Sequence, residues 1–307
     1  MKIVIIGAGA MGSLFGGKLS SVADVWLLDF WQEHVKAMQE KGLHIVEPEG
    51  EKIIKVKATN DPADVPKNID LAIIFVKSHQ TRMATKIASH FINVNSIVLT
   101  LQNGLGNLQI ISSIVGKNRA LQGVTSHGAT LLGPGRVFHA GKGPTHLAIR
   151  EEISEKVKNI ADFFHRAGFE VEISSNLDSL IWGKLIINAG INALTAILRV
   201  PNGQLLEIEP AKKLMVQVVK ETAKVTDEKG VILPYDDIQA KIEEVCRKTA
   251  SNYSSMLQDI LRCSKTEIDV INGAIVKEGK KLGIPTPLNY ALFSIVKAIE
   301  RSYTVRI

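Results

Sequence analysis

The 307-residue sequence predicts an α/β protein in two parts, a Rossmann-type domain with a parallel sheet over 1–175 and an all-helical C-terminal domain over 176–307. Three observations carry this. The chain opens on a short apolar run that breaks into a glycine-rich turn and a helical pattern, MKIVIIGAGAMG. Further β-branched runs recur to residue 126, with amphipathic stretches between most of them. Beyond residue 176 the pattern is helical, with no convincing strand.

The strands are KIVIIG (2–7), DVWLLD (24–29), DLAIIFV (70–76), SIVLTLQ (96–102) and ALQGVTS (120–126). Continuous apolar strands separated by helices imply a parallel sheet covered on both faces. The segment PGRVFHAGKGPTHLAI (134–149) reads as a hairpin at the sheet's end, its glycines marking the turns. From 177 to 303 five or six helices are expected, with breaks near VPNG (200–203), GVILP (230–234) and GIPTP (283–287).

A hydrophobic content of 45% is enough to bury substantial cores. The opening segment is too short and glycine-rich for a signal peptide or a membrane span, and no later apolar run is read as reaching membrane length. No membrane partner is expected, and the cytoplasm is the expected address. Cys246 and Cys263 lack metal-type spacing and read as buried or idle thiols; no metal site is expected. Net charge is +6, but the lysines are dispersed among glutamates and only 5% of residues are aromatic. That describes a solvated surface and no nucleic-acid partner. A modest positive field helps to collect a small anionic substrate.

GAGAMG, comprising Gly7, Ala8, Gly9, Ala10, Met11 and Gly12, follows the first strand and opens a helix. In that context Gly7 permits the tight turn, Gly9 lets the backbone approach a pyrophosphate, and Gly12 lets helix and strand pack closely. The diphosphate would sit at the helix N-terminus, where amide N–H groups and the helix dipole favour negative charge. Asp29 ends the second strand, where a carboxylate accepts hydrogen bonds from the adenosine ribose and repels a 2′-phosphate. The next positive charge is Lys36, so these residues favour NADH over NADPH; a solvated strand-end aspartate is the alternative.

In GKLIINAGINAL (183–194), Lys184, Asn188 and Asn192 recur every fourth residue through an otherwise apolar run. On a helix, steps of four advance about 40° each, so the three share one face over roughly 12 Å. A buried amide without partners costs about 1–3 kcal/mol, so such a stripe holds something polar, either another helix, water or a ligand. The lysine tips the balance toward a site, since lysines are rarely buried unless paired. Glu267 either caps the apolar run that follows it or neutralises Lys184. A Lys/Glu pair beside a nicotinamide suits carbonyl reduction, with the ammonium as proton donor and the carboxylate orienting it. Histidine, the usual acid in such work, has candidates in His127 and His139, but both are expected on strands of the first domain, where a structural hydrogen bond is the favoured reading.

These segments, with FVKSHQT, LQNGLGN, GVTSHGATLLGPGRVFHAGKG, SSMLQDI and KTEIDVINGAIV, resemble the ketopantoate reductase (2-dehydropantoate 2-reductase) family nearly end to end. The resemblance implies NAD(P)H-dependent reduction of 2-dehydropantoate to (R)-pantoate, toward pantothenate and coenzyme A. It implies Lys184 as proton donor, and Asn188, Asn192, Asn202 and Asn252 to Ser255 as substrate contacts, with Ser255 meeting the carboxylate. Glu267 would touch cofactor and order the site. Lys77, Asn103 and Ala129 would lie on the cofactor side, Asn103 bridging toward substrate. The stripe would floor a cleft between the two domains. Family members typically carry an arginine near the end of the second strand to grip a 2′-phosphate, where this chain has Asp29 and Phe30. That departure opens an alternative, an NAD-dependent D-2-hydroxyacid dehydrogenase of the same family acting on other branched or aromatic 2-keto acids. A non-catalytic dinucleotide sensor is disfavoured by the presence of both Lys184 and Glu267. The apolar face of ALFSIVKAI (291–299) suits packing inside the helical domain or against a second subunit, and a homodimer is the expected assembly.

Overall fold

The computed structural model describes residues 1–305. The chain divides into two units, one of Met1–Gln102 with Asn107–Leu177, the other of Asn103–Gly106 with the chain from Asp178 onward.

The strands of the first unit are β1 (Lys2–Ile6), β2 (Asp24–Leu28), β3 (Leu43–Glu47), β4 (Gly50–Ile54), β5 (Lys57–Thr59), β6 (Ile69–Ile74), β7 (Ile92–Thr100), β8 (Ala120–Thr125), β9 (Gly128–Gly133), β10 (Arg136–Gly141), β11 (Thr145–Ala148) and β12 (Val171–Ser174). Among the described residues they form an eight-stranded sheet, ordered β12, β11, β8, β7, β6, β1, β2, β5, and a four-stranded sheet, ordered β4, β3, β10, β9. From β8 to β5 the large sheet is parallel; β11 runs antiparallel to β8 and parallel to β12. Alternate residues enter different cores, Ile3 and Ile5 on one side and Val4 and Ile6 on the other. Burial on both faces is why these strands read as unbroken apolar runs.

The helices of this unit are α1 (Ala10–Leu19), α2 (Gln32–Lys41), α3 (Thr81–Ala88), α4 (Asn107–Val115) and α5 (Ser154–Arg166). Helix α1 touches strands of both sheets. A Cβ on Gly16 would strike Leu27, and one on Gly17 would lie 2.8 Å from Leu43, so each glycine makes room for a different sheet. The small sheet was not foreseen. Nor does the expected hairpin over 134–149 form: β10 pairs with β9 and β3, whereas β11 belongs to the large sheet. The Gly141–Pro144 link crosses between sheets, and Pro144, lacking an N–H, cannot donate to a hairpin ladder. The hairpin that forms is β9–β10.

The second unit holds α6 (Leu177–Leu198, its first residue grouped with the first unit), α7 (Gln204–Glu207), α8 (Glu209–Glu228), α9 (Ile238–Lys248), α10 (Ser255–Leu261), α11 (Asn272–Leu282) and α12 (Pro287–Arg301). Two of these are short, α7 at four residues and α10 at seven, which is how five or six expected helices become seven among the described residues. The loops fall at the three breaks read from the sequence. Helix α6 corrects one expectation: its 22 residues are long and apolar enough to cross a membrane by length and composition, and most of them are buried inside the fold. It packs into one core with Val219, Ile242, Leu257, Ile275 and Leu292. A Cβ on Gly190 would lie 2.5 Å from Ile242 and 2.7 Å from Val219, so that glycine is where α8 and α9 close on α6. On α12, Leu292 and Val296 close into this core while Ile295 stays exposed.

A buried polar chain ties these helices together. The Asn272 amide donates to the Ala189 carbonyl of α6 at 3.2 Å and to Asn289 Oδ1 at 3.0 Å. The Asn289 amide donates to Glu221 Oε1 at 2.8 Å, and the same carboxylate accepts the Leu288 and Asn289 backbone N–H groups at the start of α12. Removing a partner from such a chain costs about 1–3 kcal/mol for each buried donor left unsatisfied. Glu221→Ala is therefore expected to cost about 2 kcal/mol or more of stability, read as a lower urea midpoint; an unchanged midpoint would show that the cap contributes nothing.

Candidate active site

The glycine loop ends β1. Gly7 has φ +93°, and a Cβ there would lie 2.6 Å from the Val76 amide nitrogen, so both conformation and space demand glycine. A Cβ on Gly12 would overlap the Gly7 carbonyl oxygen, which is how closely α1 approaches its strand. Gly9 differs: a Cβ there would meet nothing within 4 Å. Open space beside partly exposed Gly9, Ala10 and Met11, at the first turn of a helix, is the cradle a diphosphate requires and a side chain would fill. Ala8 is buried, and its carbonyl accepts hydrogen bonds from Ser13 Oγ at 2.6 Å and His34 Nε2 at 2.8 Å. Sequence reasoning missed both partners. Ser13 directly follows the motif, but His34 has no local signal.

Asp29 stands at the carboxyl end of β2 and accepts the Trp31 N–H through Oδ1 at 2.9 Å, an Asx-type turn that fixes its carboxylate. Lys36 is exposed on α2 and pairs with Glu40 at 3.8 Å. Lys77 follows β6 and precedes a short 3-10 turn, Ser78–Gln80. The loop carrying it is fixed by Gln102, whose amide donates to the Val76 carbonyl at 2.6 Å. Gln102 is another residue the sequence reading passed over in favour of its neighbour. Gly7 to Gly12, Asp29 and Lys77 thus gather at the carboxyl ends of adjacent parallel strands, where α/β sheets bind ligands. Ala129 lies on β9, in the small sheet, opposite His139.

In the second unit, Lys184, Asn188 and Asn192 lie along α6. Of the described residues between Ile181 and Ala196, only Lys184 and Asn188 keep partial solvent exposure; Asn192 and the rest are buried. The stripe is therefore a window in an otherwise enclosed helix. Burial among apolar neighbours pulls the Lys184 ammonium down to a pKa of about 8, with the Glu267 charge pulling the other way.

Glu267 is 7% exposed and directly precedes a short 3-10 turn, Ile268–Val270. Its place is set by Thr266, whose N–H and hydroxyl both donate to Glu300 of α12, at 2.8 and 2.7 Å. Asn103 begins a four-residue segment that packs on the same turn. Leu105 N–H donates to the Val270 carbonyl at 3.0 Å, and a Cβ on Gly104 would overlap that carbonyl. The Asn103–Gly106 segment thus packs on the turn that follows Glu267.

Ser254 caps α10 by accepting the Leu257 N–H at 3.1 Å, and its hydroxyl lies 2.8 Å from that of Thr195 on α6. The start of α10, where Ser255 follows, is thereby tied to the helix that carries the stripe. Asn202 is buried, and its amide donates to Thr249 Oγ1 at 2.9 Å, while its backbone N–H donates to the Asn252 carbonyl. The geometry gives Asn202 the work of a strut that holds the loop bearing Asn252.

The two candidate histidines are occupied. His139 on β10 is bonded through Nδ1 to Glu47 at 2.8 Å and through Nε2 to His127 at 2.9 Å. His127 sits in the loop before β9, not on a strand, and burial with the nearby His139 and Lys18 charges lowers its pKa to about 4. Burial pushes the Cys246 thiol up to about 11, and Cys263 is exposed and free.

The family model for ketopantoate reductase PanE/ApbA matches residues 3–152, and its C-terminal counterpart matches 176–300. The chain belongs to the ketopantoate reductase family. A 2-dehydropantoate 2-reductase of Pyrococcus abyssi is 39% identical over 98% of both chains. The crystal structure of a PanE/ApbA family ketopantoate reductase from Ralstonia eutropha JMP134 superposes with a TM-score of 0.90 at 34% identity, covering 98% of this chain and 99% of that one. A ternary structure of D-mandelate dehydrogenase with NADH and anilino(oxo)acetate also has a TM-score of 0.90, at 33% identity over 99% of this chain and 100% of that one.

The loop geometry separates two substitutions. Gly9→Ala is expected to fold with an unchanged melting temperature and to lose dinucleotide affinity, whereas Gly12→Ala should lose about 2 kcal/mol or more of stability because backbone must move. Thermal unfolding and NADH titration of both variants check this; full NADH affinity in Gly9→Ala would remove the diphosphate from this loop.

Proposed function

We propose that the chain is a 2-dehydropantoate 2-reductase, reducing a 2-keto acid to the (R)-2-hydroxy acid. The observation that carries the reading is Lys184, a partly exposed lysine in an apolar helix, held near pKa 8 against the charge of Glu267. A nicotinamide dinucleotide supplies the hydride when bound. The chain's own part is to hold substrate and move one proton. Lys184 protonates the keto oxygen as negative charge develops there, and Glu267 orients the ammonium and keeps it charged. Asn188, Asn192, Asn103, Asn252 and Ser255 supply polar contacts to the 2-keto acid, and Asn202 supports them through its loop. Holding the reactants in register supplies much of the rate.

Asp29 favours NADH over NADPH in this reading, since a carboxylate fixed at the end of β2 accepts ribose hydroxyls and repels a 2′-phosphate. The same residue supports a second reading, an NADH-dependent D-2-hydroxyacid dehydrogenase, which the likeness to D-mandelate dehydrogenase also favours.

The deciding assay is kcat/KM for 2-dehydropantoate, phenylglyoxylate and 2-ketoisocaproate, each with NADH and with NADPH. Preference for 2-dehydropantoate supports the reductase; preference for either other acid with NADH establishes the second reading. Lys184→Ala is expected to lower kcat by about 10²–10⁴ while NADH affinity is retained. Unchanged turnover by the purified variant would remove Lys184 from the chemistry.

A further inference from the structure

Beneath the glycine loop lies a histidine that the proposed reaction does not use. His34 of α2 is 0% exposed. Its Nδ1 is 2.9 Å from the Gly135 backbone nitrogen, at the β9–β10 turn. A backbone N–H can only donate, so Nδ1 is the accepting nitrogen and the ring proton sits on Nε2. That Nε2–H is 2.8 Å from the Ala8 carbonyl oxygen, which can only accept. Ser13 Oγ donates to the same oxygen at 2.6 Å and lies 3.1 Å from Nε2. The ring is held in plane by Trp31, stacked on it at 5.0 Å with 7° between the planes.

Both donors to Ala8 are wholly buried, so the Ala8 carbonyl points inward. In a planar trans peptide the carbonyl and the following N–H point in opposite directions, and no cis peptide interrupts this loop. The Gly9 N–H therefore points away from the buried pair, on a partly exposed residue beside open space.

We propose that His34, with Ser13, is a positioning residue for the cofactor loop: by holding the Ala8 carbonyl inward it turns the Gly9 amide outward, ready for a diphosphate oxygen. This rests on the dinucleotide reading above. The neutral imidazole is the form that fits, because a proton on Nδ1 would face the Gly135 N–H donor. Burial, the dominant influence, lowers the pKa of this ring; the Ala8 carbonyl and the Asp29 charge oppose it.

The competing role is an anchor for the β9–β10 turn alone, and two substitutions separate them. In His34→Gln the amide nitrogen falls near the Nε2 position and can donate to Ala8, while the bond to Gly135 is lost. In His34→Asn the amide oxygen falls near Nδ1 and can accept from Gly135, while the reach to Ala8 is lost. NADH dissociation constants of the apo-proteins, with melting temperatures, are the readout. His34→Asn is expected to weaken NADH binding about tenfold and His34→Gln by less than about threefold, since only the first loses the bond to the Ala8 carbonyl. His34→Asn should also raise KM for NADH while kcat at saturating NADH is retained. Ser13→Ala, which leaves the Gly135 bond untouched, should weaken NADH binding in the same direction and guards against a fold defect at position 34.

Unaltered NADH affinity in both His34→Asn and Ser13→Ala would overturn the proposal, as would equal losses in Asn and Gln variants. Wild-type protein that binds neither NADH nor NADPH would instead overturn the dinucleotide reading, and this inference with it.

Discussion

The organisation of the helical unit depends on keeping one ammonium group charged inside an apolar helix. Removing a charge from water costs several kcal/mol unless a partner and hydrogen bonds offset it. Lys184 on α6 is followed by Leu185, Ile186 and Ile187, all buried, and burial is the influence that lowers its pKa. The carboxylate of Glu267 opposes that lowering, and the outcome is a pKa of about 8 instead of the ordinary value near 10.5. An acid of that strength is charged at neutral pH yet releases its proton readily, which is what carbonyl reduction asks of a donor. In the reaction proposed above Glu267 has to be held still, and two contacts serve that: Thr266 is fastened to Glu300, and the Asn103–Gly106 segment packs on the Val270 carbonyl.

The first unit meets a different constraint, close approach of backbone to backbone. Helix α1 rests against β1 through Gly12 and between two sheets through Gly16 and Gly17, so its N-terminus cannot shift without repacking both sheets. For the dinucleotide proposed above, rigidity of that helix end is useful, since amide groups already placed for a diphosphate would not have to be reordered on binding. The internal bonds of Ser13 and His34 to Ala8 extend the same rigidity into the loop itself.

Much of this was legible in the sequence because it is local. The apolar runs of β1, β2, β6, β7 and β8 carry their burial in their composition, the GAGAMG loop states its geometry in three glycines, and the spacing of Lys184, Asn188 and Asn192 is helical by count. What was not legible depends on distant pairing. The small sheet joins β3 to β10 across some ninety residues, as in the pairing of Ile45 with Val137, and nothing near either strand announces the other. The hairpin read over 134–149 failed for the same reason, since β11 found its partner in β8. His34 and Gln102 act on loops far from them in sequence, and Asn202 turns out to bond Thr249, a contact that the PNG segment does not disclose.

The most direct test of the account is the pH dependence of kcat for keto-acid reduction, in the wild type and in Glu267→Gln. A donor must be protonated, so reduction should fall as pH rises through about 8, the value at which burial and Glu267 together hold Lys184. Removing the Glu267 charge removes the influence that raises this pKa, and the falling limb should move to lower pH. A limb that stays in place in Glu267→Gln, or a wild-type rate that remains flat well above pH 8, would contradict the claim that Lys184, poised by Glu267, is the proton donor.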